Sequence, residues 1–136
     1  MSHYSKIKTQ IMEKDALIKA LASMGYTSIE VHTSPQHLYG YQGDQRGEQA
    51  EIIIRRQYIS SLSNDIGFKR TAEGSYEAIV SEYDQEILGT DWVGLVAQRY
   101  AEHAVLSKLE AQGFSIDLKQ VDLVTKKVHL VLRRSS

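Results

Sequence analysis

The opening of the chain changes from alternating to helical spacing of its apolar residues. Residues 4–11 alternate apolar and polar side chains, which predicts a half-buried strand. Between residues 15 and 24 the apolar positions recur every third or fourth residue, which predicts a short amphipathic helix. Gly25 follows where a left-handed helix cap is expected. A second strand is predicted around residues 29–31, ending at the only proline, Pro35.

A continuous β-branched run marks the middle of the chain. Residues 52–54 are all isoleucine, which predicts a central strand covered on both faces. Residues 65–70 and 75–81 are two shorter strand candidates. The Glu73-Gly74 pair between them predicts a tight hairpin turn.

The longest periodic pattern lies in the last third of the chain. From residue 91 to 112 the apolar positions keep helical spacing, with Thr90 or Asp91 as the N-terminal cap and Gly113 after the last turn. Two strands, roughly 114–121 and 127–134, then finish the chain around a turn at residues 124–126.

The two helices lead into similar sequences. Each passes through a glycine and an aromatic residue into an alternating strand, and then into an apolar strand that ends with two arginines. Each half, about 1–60 and 61–136, therefore reads strand, helix, strand, strand. We predict a single α+β domain of two duplicated βαββ units, with two helices packed on one face of one antiparallel-rich sheet.

One polar stretch distinguishes the halves. Residues 33–49 separate two strands in the first half, where the second half needs only a turn. Long connections inside a compact domain are more often functional than merely connecting. Glycines allow close backbone approach to a ligand, and tyrosines supply contact area at small entropic cost. The candidate ligand- or partner-binding residues are Tyr39, Gly40, Tyr41, Gly43, Asp44 and Arg46. The alternative is a wide turn whose tyrosines fold back over the core.

Composition restricts the chemistry further. The chain has 136 residues, enough for one domain, and a net charge of −1, which disfavours a nucleic-acid partner. The absence of cysteine excludes disulfides, thiolate metal sites and a cysteine nucleophile. Neither a nucleophile elbow nor a phosphate-binding glycine motif is present. We therefore expect no cofactor and assign no catalytic residue. Without a signal-peptide core or an apolar run of roughly 18 residues, the predicted location is cytoplasmic.

Histidines and carboxylates offer weaker candidates. His32 and His37 flank the polar stretch and could converge with Asp44 or Glu48 on a divalent ion, although their spacing matches no metal motif. We therefore name no metal ligand. The carboxylates of residues 82, 84 and 86 are expected to be solvated charges in an exposed connection.

The second face of the predicted sheet is a further candidate. With both helices on one face, the other would present Ile53, Val131 and the tyrosines. A half-apolar face of this kind often marks an interaction surface. The alternative is that loops or terminal segments cover it.

Three segments carry a family resemblance. They are SHYSKIKTQI at residues 2–11, YGYQG at 39–43, and DIGFKR at 65–70 followed by SYE at 75–77. Together they resemble the hypothetical chloroplast open reading frame thirty-five family of cyanobacteria and red-algal plastids. Members carry a tryptophan-rich stretch after the SYE strand, whereas this chain reads SEYD at residues 81–84. A surface built on those tryptophans is therefore not carried over.

The resemblance implies a role but no site. The family has no established activity, cofactor or catalytic residue. Members lie in some genomes near AAA-type ATPases and a second small protein, which implies an accessory or adaptor role. It also implies the plastid stroma as the location if the gene is plastid-encoded.

Two functions follow as predictions. The first is a non-catalytic partner-binding or regulatory domain that contacts a protein, such as an AAA-type ATPase or a small companion, or a second copy of itself. The second is a small-ligand-binding protein or enzyme whose cleft lies at the pseudo-two-fold axis predicted to relate the two βαββ units. A concave pocket with perturbed titratable groups would favour the second function. The cleft would be formed by Tyr39, Tyr41, Asp44, Arg46 and His37.

Overall fold

The computed structural model describes residues 3–121 and 128–134. Five strands form one antiparallel sheet in the order β1-β5-β4-β3-β2, and two more form a separate hairpin. The elements are β1 (Tyr4–Lys8), α1 (Lys14–Ser23), β2 (Ile29–Tyr39), β3 (Gln45–Ile54), a 3₁₀ turn (Arg56–Tyr58), β4 (Ile66–Arg70), β5 (Tyr76–Ser81), α2 (Glu82–Leu88), α3 (Trp92–Ala111), β6 (Phe114–Val121) and β7 (Val128–Arg134). This architecture confirms the predicted α+β class.

The main core lies between one face of the five-stranded sheet and the helices α1 and α3. Burial of large aliphatic side chains there stabilises the fold by about 1.5–3 kcal/mol each. Trp92 lies edge-on to the ring of Tyr26 at a centroid distance of 5.9 Å. The packing of two helices on one face is therefore as predicted. Fully buried side chains of this core are Leu17 and Leu21 from α1, Val96 from α3, and Ile52, Ile54, Ile66, Phe68 and Val80 from the sheet.

The region predicted as a long loop is mostly strand. β2 continues through Pro35 to Tyr39, and only residues 40–44 connect it to β3. Proline is tolerated because β2 is an edge strand whose pairing with β3 is interrupted between Val31 and Gln36. The prediction of a loop over residues 33–49 is therefore wrong, and an extended hairpin takes its place.

The outer half of this hairpin lies against the second face of the sheet. Leu38 and Ala50 pack there with Ile53 and Ile79, all buried, and Tyr4 packs against them. Ile53 has no exposed surface. The prediction that Ile53 belongs to an open face is therefore wrong, while the predicted burial of residues 52–54 on both faces is confirmed.

The structure does not show the predicted duplication. The β2–β3 hairpin belongs to the five-stranded sheet, whereas β6 and β7 form their own sheet in the described part of the chain. Val131 lies in that separate hairpin and is half exposed. The predicted turn at residues 124–126 lies outside the described residues. The short helix α2 has no counterpart in the prediction.

We expect Gly67→Ala to destabilise the protein by about 1–3 kcal/mol, because a methyl group there overpacks the crossing of the hairpin and the sheet. A Cβ at Gly67 would lie 2.7 Å from the Cβ of Ala50 and 3.1 Å from Cδ2 of Leu38. Urea denaturation measures the loss. Gly47→Ala is the matched control, since a Cβ there meets nothing within 4 Å. Equal losses of stability in Gly67→Ala and Gly47→Ala would contradict this account. Adding Ala50→Gly to Gly67→Ala should restore part of the lost stability, because it removes the Cβ that the new methyl group meets.

Candidate functional site at the hairpin tip

Five of the six predicted site residues lie in or beside the turn between β2 and β3. The amide of Gly40 donates to the carbonyl of Asp44 at 2.8 Å, and that of Gly43 donates to the carbonyl of Gly40 at 2.9 Å. Gly43 has a φ of +79°, and a Cβ at Gly40 would collide with the Asp44 carboxylate. The glycines therefore serve the turn, and the side chains of Tyr39 and Tyr41 beside it are each a little over one third exposed.

Arg46 lies apart from the two tyrosines. Its guanidinium lies 4.9 Å from the ring centroid of Tyr4, on the second face of the sheet. The hydroxyl of Tyr4 donates to the carbonyl of Asp65 at 2.7 Å. Burial raises the pKa of the Tyr4 phenol far above its ordinary value, and the Asp65 carboxylate adds to the shift. Tyr4 is therefore a neutral donor that ties β1 to the base of the tip.

Asp65 joins the hairpin to the start of β4. Its buried Oδ2 accepts from the amide of Tyr39 at 2.8 Å and from Nη1 of Arg55 at 2.9 Å. Its Oδ1 accepts from the amide of Arg56 at 2.7 Å, and its own amide donates to the carbonyl of Tyr39 at 2.9 Å. A buried carboxylate with three donors is strongly compensated, so this residue fixes where the tip lies.

Arg55 extends the same network to the edge strand β2. Its Nε and Nη2 donate to the two carboxylate oxygens of Glu30, both at 2.8 Å, and Nη1 also donates to the carbonyl of His37. Nε2 of His32 lies 2.8 Å from Oε1 of Glu30. The Arg55 hydrogen bonds lower the pKa of Glu30 from 4.5 to about 2, with a smaller contribution from His32, while desolvation opposes the shift.

A second buried node holds the turn from the other side. Oδ1 of Asn64 accepts from the amide of Tyr41 at 3.0 Å, and its Nδ2 donates to Oγ of Ser81 at 3.0 Å. Oδ2 of Asp84 accepts from the amide of Asn64 at 3.0 Å and from Oγ of Ser81 at 2.6 Å. The amide of Asp84 donates back to Oγ of Ser81, which caps α2. Oδ1 of Asp84 has no partner among the described residues.

Sequence reasoning misses Asn64, Asp65 and Asp84. Asp84 is fully buried, so the expectation that it is a solvated charge is wrong. Ser81 and Asp84 form the Ser-x-x-Asp pattern of a helix start, a signal that could have placed α2 here. The two contacts between the turn and residues 64 and 65 span more than twenty positions, and no local pattern indicates them.

Several exposed apolar side chains lie close in sequence to the residues of these two nodes. Tyr39 and Tyr41 are each more than one third exposed, and three others are more than half exposed. Leu62 lies two residues before Asn64, and Ile87 lies three residues after Asp84, which bonds Asn64. Tyr39 and Tyr41 bond Asp65 and Asn64 through their main chain, and Tyr58 lies two residues after Arg56, which bonds Asp65. We call this set the tip surface: Tyr39, Tyr41, Tyr58, Leu62 and Ile87.

His37 lies on the same hairpin as the predicted site residues. Nδ1 of His37 lies 2.8 Å from the carbonyl oxygen of Arg46, and its Nε2 lies 3.4 Å from Nε2 of Gln49, so the ring braces the hairpin. In residues 3–121 and 128–134, no three histidine, aspartate or glutamate side chains are grouped as a metal site requires. Clefts of about 180, 320 and 380 Å³ lie in the described part of the chain, and none of these three is lined by a predicted site residue.

Comparison with known families gives a class but no activity. The chain belongs to the family described as "Protein of unknown function (DUF1257)", whose model matches residues 20–131. No curated protein and no solved structure is similar enough to this chain to count as a match. In the described residues, no helix is both long and apolar enough to cross a membrane.

We expect Glu30→Gln to lower stability by about 1 kcal/mol at pH 7, since Glu30 is 38% exposed and the pair is partly screened. The folded pKa of about 2 lies below the unfolded value of 4.5, so the carboxylate stabilises the fold above about pH 4.5. This contribution is lost as the pH falls toward 2. Urea denaturation of wild type and Glu30→Gln should therefore show that their free energies of unfolding differ at pH 7 and approach each other toward pH 3. Glu86→Gln, at an exposed position on α2, is the control. A difference that does not depend on pH would contradict the assignment.

We expect Asn64→Ala to lower the free energy of unfolding by about 2–3 kcal/mol. The substitution removes the hydrogen bonds from Nδ2 of Asn64 to Oγ of Ser81 and to the buried Asp84 carboxylate. It also leaves the Tyr41 amide without its acceptor. Hydrogen exchange at the Tyr41 amide should accelerate, measured by NMR. Ser60→Ala removes a hydroxyl from the same loop, where Ser60 bonds only Ser63 through its side chain, and serves as the control. Unchanged exchange at Tyr41 would show that Asn64 does not hold the turn.

Proposed function

We propose that this protein is a non-catalytic partner-binding domain that contacts another protein through the tip surface. The observation that carries the proposal is the arrangement of exposed apolar side chains around rigid buried nodes. Exposed apolar groups scattered singly are ordinary, and the support for a contact surface here is that five of them lie close in the chain to the residues of the two nodes. Tyrosine in particular is enriched among the residues that dominate binding energy.

Rigidity of the tip supports this proposal. The main chain of Tyr39 is bonded in both directions to Asp65, and that of Tyr41 is bonded to the Asn64 side chain. A surface that is already ordered loses little conformational entropy on binding. A partner therefore meets the tyrosines in fixed positions.

The rival function, a small-ligand site or enzyme, has less support. Tyr39 and Tyr41 extend from a tight turn, and Arg46 is engaged with Tyr4 on the other face. The raised pKa of Tyr4 and the lowered pKa of Glu30 both have structural causes in burial and ion pairing. Tyr4 and Glu30 therefore serve to hold the hairpin, and their shifted pKa values do not call for a catalytic role.

The partner and location belong to the same proposal. The resemblance of residues 2–11, 39–43 and 65–77 favours the cyanobacterial and red-algal plastid branch of the family. On that resemblance, the partner is an AAA-type ATPase or a small companion protein, met in the cytoplasm or the plastid stroma. A second copy of the chain is the other partner to be tested.

A photo-crosslinking amino acid placed at Tyr58, which is 53% exposed, should form a discrete adduct with a protein in cells of the source organism. The same amino acid at Val105, 48% exposed on α3, is the positional control. Excess wild-type protein should suppress the adduct, because it competes for the same partner. Mass spectrometry of the adduct distinguishes a different protein from a second copy.

The double variant Tyr41→Ser with Leu62→Ser should suppress the adduct from position 58 at least roughly tenfold less well than wild-type protein does. Its unfolding midpoint should be unchanged, since both side chains are exposed. Met12→Ser with Val105→Ser removes the same kind of surface elsewhere and should compete like wild type. Deleting residues 39–46 is a poorer test, because it also removes the partners of Asn64 and Asp65. Adducts that are identical from positions 58 and 105 would refute the proposal.

A further inference from the structure

Among the described residues, β1 lies at one edge of the five-stranded sheet. In the part of the chain that the structure describes, β1 pairs only with β5. The amide of Glu82 donates to the carbonyl of His3, and antiparallel ladders bond every second residue pair. Residues 5 and 7 therefore direct their amides and carbonyls toward β5. Tyr4, Lys6 and Lys8 direct theirs away from the sheet, where an added strand would bond.

A partly apolar cleft of about 380 Å³ lies at the helix-side face of this edge. It separates the end of β1 from the first turns of α3, and Ile7, Val93 and Ala97 supply its apolar lining. Ile7 packs against the main core, so its side chain points to the helix side. Every second side chain of a strand added to β1 would therefore enter or border this cleft.

The opposite face of the same edge carries two lysines, and Lys6 lines a cleft there together with Glu48 and Lys69. Lys6 and Lys8 alternate with Ile7 and are exposed, and they are paired in register with Ile79 and Glu77 of β5. Glu77 is the acidic residue directly across from Lys8, while Lys6 faces an apolar residue. Side chains of an added strand on this face would lie next to the two lysines. Opposite charges at such cross-strand positions stabilise a sheet, and like charges destabilise it.

We infer that the free edge of β1 is a docking site for an extended segment of another protein in which apolar and acidic residues alternate. The main chain would bond Tyr4, Lys6 and Lys8, the apolar side chains would face the cleft, and the acidic ones would face the lysines. A second copy of this chain is disfavoured, because antiparallel pairing of two β1 strands centred on Lys6 sets lysine against lysine. This site is separate from the tip surface, and either proposal stands if the other fails.

The probe is a fluorescein-labelled peptide in which valine and glutamate alternate, titrated with the full chain and followed by fluorescence anisotropy. We expect saturable binding, and weaker binding by at least tenfold for a peptide of the same composition with its glutamates and valines in two blocks. N-methylation of every second amide, on the side that would face β1, should abolish binding. Equal binding of the alternating and block peptides would overturn the inference, since it would show attraction by charge alone. Absence of saturation up to millimolar protein would overturn it as well.

Variants of the edge separate charge from main-chain pairing. Lys6→Glu with Lys8→Glu should weaken binding of the alternating peptide by roughly tenfold or more, because two favourable cross-strand pairs become repulsive. Lys14→Glu with Lys19→Glu makes the same change in net charge on α1 and should bind like wild type. Equal weakening in both double variants would refute the site.

Lys6→Pro removes one outward amide but leaves the bonds to β5, because proline is tolerated at a strand edge. Lys6→Thr removes the same charge and keeps the amide. Binding should therefore be lost more completely in Lys6→Pro than in Lys6→Thr, with circular dichroism confirming that both variants fold. Equal affinities would exclude strand addition. Self-association of wild type that Lys6→Pro abolishes, seen by sedimentation, would instead identify a second copy as the occupant and overturn the inference.

Discussion

The three hydrogen bonds accepted by the buried carboxylate of Asp65 are the interaction on which the arrangement around the hairpin tip depends. A carboxylate removed from water must be compensated, and here the compensation comes from the end of β2 and from the two arginines after β3. Satisfying one charge therefore forces the hairpin tip, the 3₁₀ turn and the start of β4 to meet. Asn64, the next residue back along the chain, is then in place to hold the turn from the other side.

The middle of the sheet is covered on both faces because the outer part of the hairpin packs over Ile53 and Ile79. The outer arm carries Leu38 and Ala50 onto the second face, and the close approach requires a residue without a side chain at Gly67. This explains why residues 52–54 are uniformly apolar in an antiparallel sheet, where alternation is usual. Ile52 and Ile54 belong to the helix side, and Ile53 belongs to the smaller core under the arm.

Local patterns predict the parts of the fold that local physics determines. The positions of α1 and α3, the hairpin of β4 and β5 and the burial of residues 52–54 follow from periodicity and from Gly25, Gly74 and Gly113, which all adopt positive φ. The course of residues 33–49 does not follow, because proline and glycine there suggest a loop while long-range bonds to Asp65 and Asn64 extend the hairpin. The six predicted site residues all lie on one hairpin, as the sequence indicates. The side chains that hold its tip come from elsewhere in the chain: Tyr4 from β1, Asn64 and Asp65 before β4, and Ser81 and Asp84 at the start of α2. Only the Ser81 and Asp84 spacing carried a sequence signal for any of them.

Tyr4 connects the edge strand β1 to the residues that hold the hairpin tip. Its ring lies under Arg46, its hydroxyl bonds Asp65, and its main chain forms part of the open edge of β1. If both proposed surfaces bind partners, a partner that shifts β1 would alter the support of the tip, and a partner at the tip would alter β1. Thermodynamic linkage would make that effect reciprocal, so each partner would change the affinity for the other by the same factor. The shared tyrosine would then make the two proposed binding events interdependent.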